Sequence, residues 1–119
     1  MMRAIRGATQ LGADDSAEMN EATVELLQQM LVRNELSSED LVSVIFTATP
    51  DLGCGFPAAA ARDIGFGDVP LLCATEMAVA GAPQRIIRVL MHANTDKDRH
   101  LIQHVYLRGA EVLRQDLAQ

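Results

Sequence analysis

Two charged residues sit inside apolar runs, where a charge has to be accounted for. Arg88 interrupts Ile86-Ile87-Arg88-Val89-Leu90-Met91, and Glu76 lies in Leu71-Leu72-Cys73-Ala74-Thr75-Glu76-Met77-Ala78-Val79. An unpaired charge is costly to bury, so a buried Arg88 needs a partner, unless its strand lies at a sheet edge and the side chain reaches water. Glu76 reads in the same two ways, as a strand-end carboxylate in solvent or as one half of a pair. The two could bind each other, or they could flank a polar ligand. Arg6, between Ile5 and Gly7, and Tyr106, the one tyrosine, are weaker candidates; each is also readable as an ordinary exposed arginine or a half-buried ring. Arg62 and Arg114 read equally well as solvated helix and tail residues, and Cys73 as a small buried hydrophobe.

A guanidinium presents a planar fork that matches a carboxylate. Nine of the ten cationic residues are Arg, and Lys97 is the exception. No Ser or Cys stands beside a His in a triad-like pattern, and His92, His100 and His104 lack metal-ligand spacing. Cys54 and Cys73 make neither a disulfide framework nor a metal pair. Several Arg, one Glu and no obvious nucleophile suit the binding of a small polycarboxylate better than covalent or metal chemistry. No metal or other cofactor is expected.

These residues must be positioned by a short series of elements. Residues 4–9 predict a first strand. Asp14-Asp15-Ser16 starts a long helix, with Glu18 and Glu21 near its positive end and Ala22, Leu26, Leu27, Met30 and Leu31 on one face; it ends around residues 34–36. Residues 41–46 are β-rich and apolar and predict a buried strand, after a polar turn at Ser37-Ser38-Glu39-Asp40. Thr49-Pro50-Asp51-Leu52-Gly53-Cys54-Gly55 is a loop; Pro57 opens a short Ala-rich helix that Gly65 closes. Strands follow at residues 71–73, 86–93 and 104–107, with a break at Ala80-Gly81-Ala82-Pro83 and a charged turn over residues 94–99. The order β-α-β-α-β-β-β predicts an α+β fold: a mixed β-sheet packed against one long helix and one short helix.

The chain of 119 residues fits a single domain over 1–119. Hydrophobic residues make up 49%, too many for a disordered chain, while aromatics are 3%, so the core is aliphatic and gains from a partner subunit that covers more of it. A net charge of −6, with no basic run, argues against nucleic acid as a partner. Met1-Met2-Arg3-Ala4-Ile5-Arg6-Gly7 lacks the apolar stretch of a signal peptide, and no segment approaches the ~20 apolar residues of a membrane span, so a cytoplasmic protein without a membrane partner is expected.

Six segments bring the weak signals together. Ile5-Arg6-Gly7-Ala8-Thr9, Ala48-Thr49-Pro50-Asp51-Leu52, Phe56-Pro57-Ala58, Ile87-Arg88-Val89-Leu90-Met91, His104-Val105-Tyr106-Leu107 and Val112-Leu113-Arg114 resemble, in order and spacing, those of the small trimeric chorismate mutases. The resemblance implies a Claisen rearrangement of chorismate to prephenate in aromatic amino-acid biosynthesis, without covalent intermediate, metal or cofactor. It implies a homotrimer, a pseudo α/β-barrel with sites in the subunit clefts. By position, Arg88 would donate to the ether oxygen, and Glu76 with Cys73 would lie by the ring hydroxyl. Arg6 and Tyr106 would hold the enolpyruvyl carboxylate, and Phe56 and Arg62 would come from the neighbouring subunit. Leu113 and Arg114 would close over the ligand. The chain departs from relatives at Ala59 (a Lys in some), Leu72 (a Thr) and Gln115 (often Pro). Two other readings compete: a trimeric module that only senses an aromatic-pathway acid, and a different enzyme, such as an imine deaminase, on a similar scaffold.

Overall fold

Alternation along the strands decides the layout. In the computed structural model, which describes residues 1–113, the run around Arg88 forms β4 (Ile86–Asn94). Ile87, Val89, Met91 and Ala93 are buried, whereas Arg88 and Asn94 are exposed and Leu90 and His92 are partly so. From Arg88 onward the strand is therefore one-sided, while Ile86, on the Arg88 face, is buried against Ala110 and Leu113. The strand is also central: the five-stranded sheet has the order β3-β2-β4-β1-β5, with β1 (Met2–Gln10), β2 (Leu41–Ala48), β3 (Leu71–Thr75) and β5 (Val105–Leu107). Arg88 reaches solvent because one face of the sheet is bare, not because its strand is an edge. β2 corrects the sequence reading in the same way. Val44 and Phe46 are buried, but Ser43, Ile45 and Thr47 alternate with them and are only partly covered. β2 and β1 both run antiparallel to β4, while β3 is parallel to β2 and β5 to β1, so the sheet is mixed.

The other face is covered by two helices. α1 (Ser16–Arg33) starts at Asp15, whose carboxylate accepts from the Glu18 N–H at 2.8 Å. Glu18 reaches back to the N–H groups of Gly12 and Ala13 at 2.6 and 3.1 Å, so the first turn is capped from both directions. Met19, Ala22, Thr23, Leu26, Leu27 and Met30 form the buried stripe. Gly7 lets α1 approach β1: a Cβ there would overlap Met30 Sδ. At the end of α1, the Asn34 side-chain amide donates to the carbonyls of Met30 and Gln103 at 2.8 and 2.9 Å, and its oxygen accepts from the Gln103 N–H at 2.8 Å. This ties the helix to the segment that leads into β5.

α2 (Pro57–Asp63) has Pro57 in its first turn and packs beside α1. Gly65, in the left-handed region at φ +95°, follows its end. The core lies between the helices and the sheet, built on Ile5, Leu26, Leu27, Met30, Val44, Phe46, Phe66, Val89 and Met91. Among the described residues, no helix is long and apolar enough to cross a membrane.

Candidate active site

The bare face of the sheet carries the candidate groups. Strand register sets Thr47 of β2 and Ala8 of β1 on either side of Arg88, and Arg6 beside Leu90. Past the end of β3, the Glu76 N–H donates to the carbonyl of Ala48 at 2.9 Å, which returns the chain to the end of β2. There Glu76 Oε2 lies 3.1 Å from Arg88 Nε and accepts a hydrogen bond from Thr47 Oγ1 at 2.7 Å. The Arg88 side chain is 47% exposed and that of Glu76 16%. An ion pair this open adds little to stability. What it does is hold two opposite charges at one point on an uncovered surface.

Arg88 stands between two hollows. One, of about 460 Å³, has Arg6, Arg88, Tyr106 and Leu113 around a floor that includes Gly7, Ala8, Ile45 and Leu90. The other, of about 380 Å³, lies between Glu76 with Arg88 and the segment from Met77 to Gln84. Tyr106 is half-buried against Ala8, Ile86, Ala110 and Leu113, and Leu113 belongs to the 3-10 turn Ala110–Leu113 that covers this end of the sheet. Arg6 is exposed, and its backbone N–H donates to His104 Nδ1 at 2.9 Å. Partial burial and then the Arg6 charge lower the His104 pKa below its ordinary value. Two guanidiniums, a tyrosine and a carboxylate thus share one surface that the two helices leave open, an arrangement suited to an anionic ligand with a hydroxyl group.

The loop behind the site is pinned from several sides. Thr49 Oγ1 accepts from the Ile86 N–H at 3.1 Å and Asp51 from the Arg85 N–H at 2.9 Å, which holds Arg85 in the left-handed region at φ +56° just before β4. Asp14 accepts from the N–H groups of Gly53 and Cys54. Burial, and then the Asp14 carboxylate, push the Cys54 thiol up to about 11.

Other expected residues stand apart within the chain. Cys73 pairs with Phe46 and packs towards the helices, on the face opposite Arg88. It lines a separate hollow with Phe56, which is 74% exposed. Arg62 is exposed in the last turn of α2. Arg114 and Gln115 lie outside the described residues. Thr47 was missed, although the sequence holds a signal for it: as the next outward position after Ile45, it falls on the same face as Arg88 if β2 continues to Ala48. Among the described residues, no three His, Cys, Asp or Glu side chains cluster as a metal site.

The sequence matches the family described as chorismate mutase type I over residues 2–117. The chain belongs to that family. It is 50% identical over 118 residues to chorismate mutase AroH of Thermus thermophilus, covering 98% of this chain and 97% of the relative. Identity to chorismate mutase AroH of Bacillus subtilis (strain 168) is 42% over 119 residues, covering 99% and 94%. A solved chorismate mutase from Clostridium thermocellum superposes with a TM-score of 0.91 at 46% identity, covering 92% of this chain and 98% of that one. The expected mixed sheet with two helices is thus the fold of a chorismate mutase.

Proposed function

We propose that this chain, as one domain over residues 1–119, catalyses the rearrangement of chorismate to prephenate on the bare face of its sheet. The reaction is intramolecular: the ether C–O bond breaks as a C–C bond forms, and no proton or electron enters or leaves. Catalysis then consists of holding the reactive conformer and stabilising the charge that separates as the C–O bond opens. The observation that carries this reading is Arg88, fixed near the start of a central strand, paired with Glu76 and facing the same hollow as Arg6 and Tyr106. Arg88 donates to the ether oxygen, where negative charge develops. Glu76 lies by the ring hydroxyl and the cationic side of the transition state. Arg6 and Tyr106 hold the enolpyruvyl carboxylate, and Leu113 with Arg114 closes the site.

The working unit is a homotrimer with sites between subunits. Supporting this are the uncovered sheet face, with Leu72 60% exposed beside Ile45 and Leu90, and Phe56, exposed at the start of α2 without a role in its own chain. In the trimer, Phe56 and Arg62 complete the neighbour's site, and Cys73 on the edge strand adds to it. The enzyme serves aromatic amino-acid biosynthesis in the cytoplasm and needs no cofactor, nucleic acid or membrane. Its local field of arginines, rather than its net charge of −6, draws in the dianion.

The test is loss of chorismate absorbance on addition of purified protein, with prephenate as product, before and after exhaustive chelation. Equal turnover in both is expected. Binding without turnover would mean a sensing module, and activity restored only by a divalent metal would overturn the mechanism.

A further inference from the structure

Glu76 is held by two groups, and the less conspicuous one is the better anchored. Its segment after β3 is irregular, so neither a strand nor a helix orients the carboxylate. Arg88 Nε at 3.1 Å is one partner, but that side chain is long and 47% exposed, and so open an ion pair is screened by water and salt. The other partner is the Thr47 hydroxyl at 2.7 Å, on the same oxygen. Thr47 is β-branched, with a restricted χ1, and lies in β2 directly opposite Arg88. An ionised carboxylate can only accept, so the hydroxyl proton points at Oε2. The next residue, Ala48, accepts the Glu76 N–H through its carbonyl at 2.9 Å. Two consecutive residues of β2 therefore hold the backbone and the side chain of Glu76.

We propose that Thr47 is a positioning residue for the rearrangement: it fixes Glu76 Oε2, and through it the direction in which Arg88 presents its remaining N–H groups to the hollow. Oε1 of Glu76 is left for the ligand's hydroxyl. The inference rests on the roles given above to Arg88 and Glu76. Because Arg88 meets a charge that appears only as the ether bond breaks, a loss of its alignment acts on kcat more than on KM.

The experiment is full steady-state kinetics on Thr47→Val and Thr47→Ser, alone and in a Glu76→Ala background, with thermal melts of each. Val keeps the branched shape and the strand preference while removing the donor. Loss of a hydrogen bond to a charged group predicts roughly a 10-fold fall in kcat for Thr47→Val, with KM near that of the unmodified enzyme. Thr47→Ser recovers most of it, the melting temperatures stay close, and Thr47→Val adds nothing once Glu76 is Ala. If Glu76→Ala is impaired but Thr47→Val is not, the positioning role is wrong and the site stands. Equal losses in Val and Ser, or the same Thr47→Val loss without Glu76, would also overturn it. Full activity in Glu76→Ala would instead remove the reading of the site on which the inference depends.

Discussion

Arg88 Nε lies 3.1 Å from Glu76 Oε2, on the face of the sheet that the helices leave uncovered. The pair joins the first part of β4 to the irregular segment beyond β3, with β2 between them in the sheet. The cation proposed to meet the breaking bond is thereby held by a partner that is itself hydrogen-bonded to a strand.

Arg88 and Arg6 should separate in their kinetics. The ether oxygen gains charge only in the transition state, whereas a carboxylate is charged throughout. Arg88→Ala should lower kcat by roughly 10²–10³, the usual loss for one such donor. Arg88→Lys should recover part, since a point charge lacks the fork. Arg6→Ala should act mainly on KM. A raised KM with kcat intact in Arg88→Ala would make Arg88 a carboxylate anchor instead.

Sedimentation equilibrium at micromolar concentration should give three chains per particle. Because Arg62 and Arg88 of one site come from different subunits in the proposed trimer, inactive Arg62→Ala and Arg88→Ala proteins should regain activity when unfolded together and refolded as mixed trimers. A fully active monomer would show that Phe56 and Arg62 play no part in a shared cleft.

His104 carries a pH dependence with a definite sign. Its pKa is lowered in the folded protein, and the neutral ring accepts the Arg6 N–H. In the unfolded chain the imidazole titrates near 6.5. Its contribution to stability is full above that pH and is lost as pH falls, because the unfolded state takes up the proton first. Denaturant midpoints of the unmodified protein and His104→Gln, compared at fixed protein concentration from pH 7.5 to 5, should show the steeper fall in the unmodified protein. Parallel curves would remove His104 as the cause.

Asn34 is 1% exposed and makes three hydrogen bonds to backbone groups of Met30 and Gln103. Asn34→Ala deletes them and leaves buried polar groups unpaired, a loss of about 2–4 kcal/mol. A denaturant midpoint unchanged at fixed protein concentration would contradict this accounting.

Cys54 should be inert at neutral pH. The thiolate is the reactive form, and the thiol is pushed up to about 11. Alkylation followed by mass mapping should leave Cys54 unmodified at pH 7.5 in the folded protein and label it on denaturation. Rapid labelling of the folded protein at that pH would mean that the Asp14 contact is not kept in solution.

The sequence alone determined the elements and their order. Periodicity marked α1 and β4, Asp14-Asp15-Ser16 marked the start of α1, and Pro57 and Gly65 bracketed α2, because hydrophobic period, capping and turn chemistry are local properties of a few neighbouring residues. The family was legible too, in six short segments that keep their order. Tertiary structure decided which face of each strand is covered. The apolar run around Arg88 reads either as a buried strand with a paired charge or as an edge strand with Arg88 in water; it is a central strand, and the placement of both helices on one face leaves Arg88 half in water. Strand order and register then decided its partners. That Glu76 returns to the end of β2, that Thr47 stands opposite Arg88, and that Cys73 turns with Phe46 to the other face all follow from pairings between segments distant in sequence. No local pattern encodes those pairings, because each depends on the whole sheet closing over one shared core.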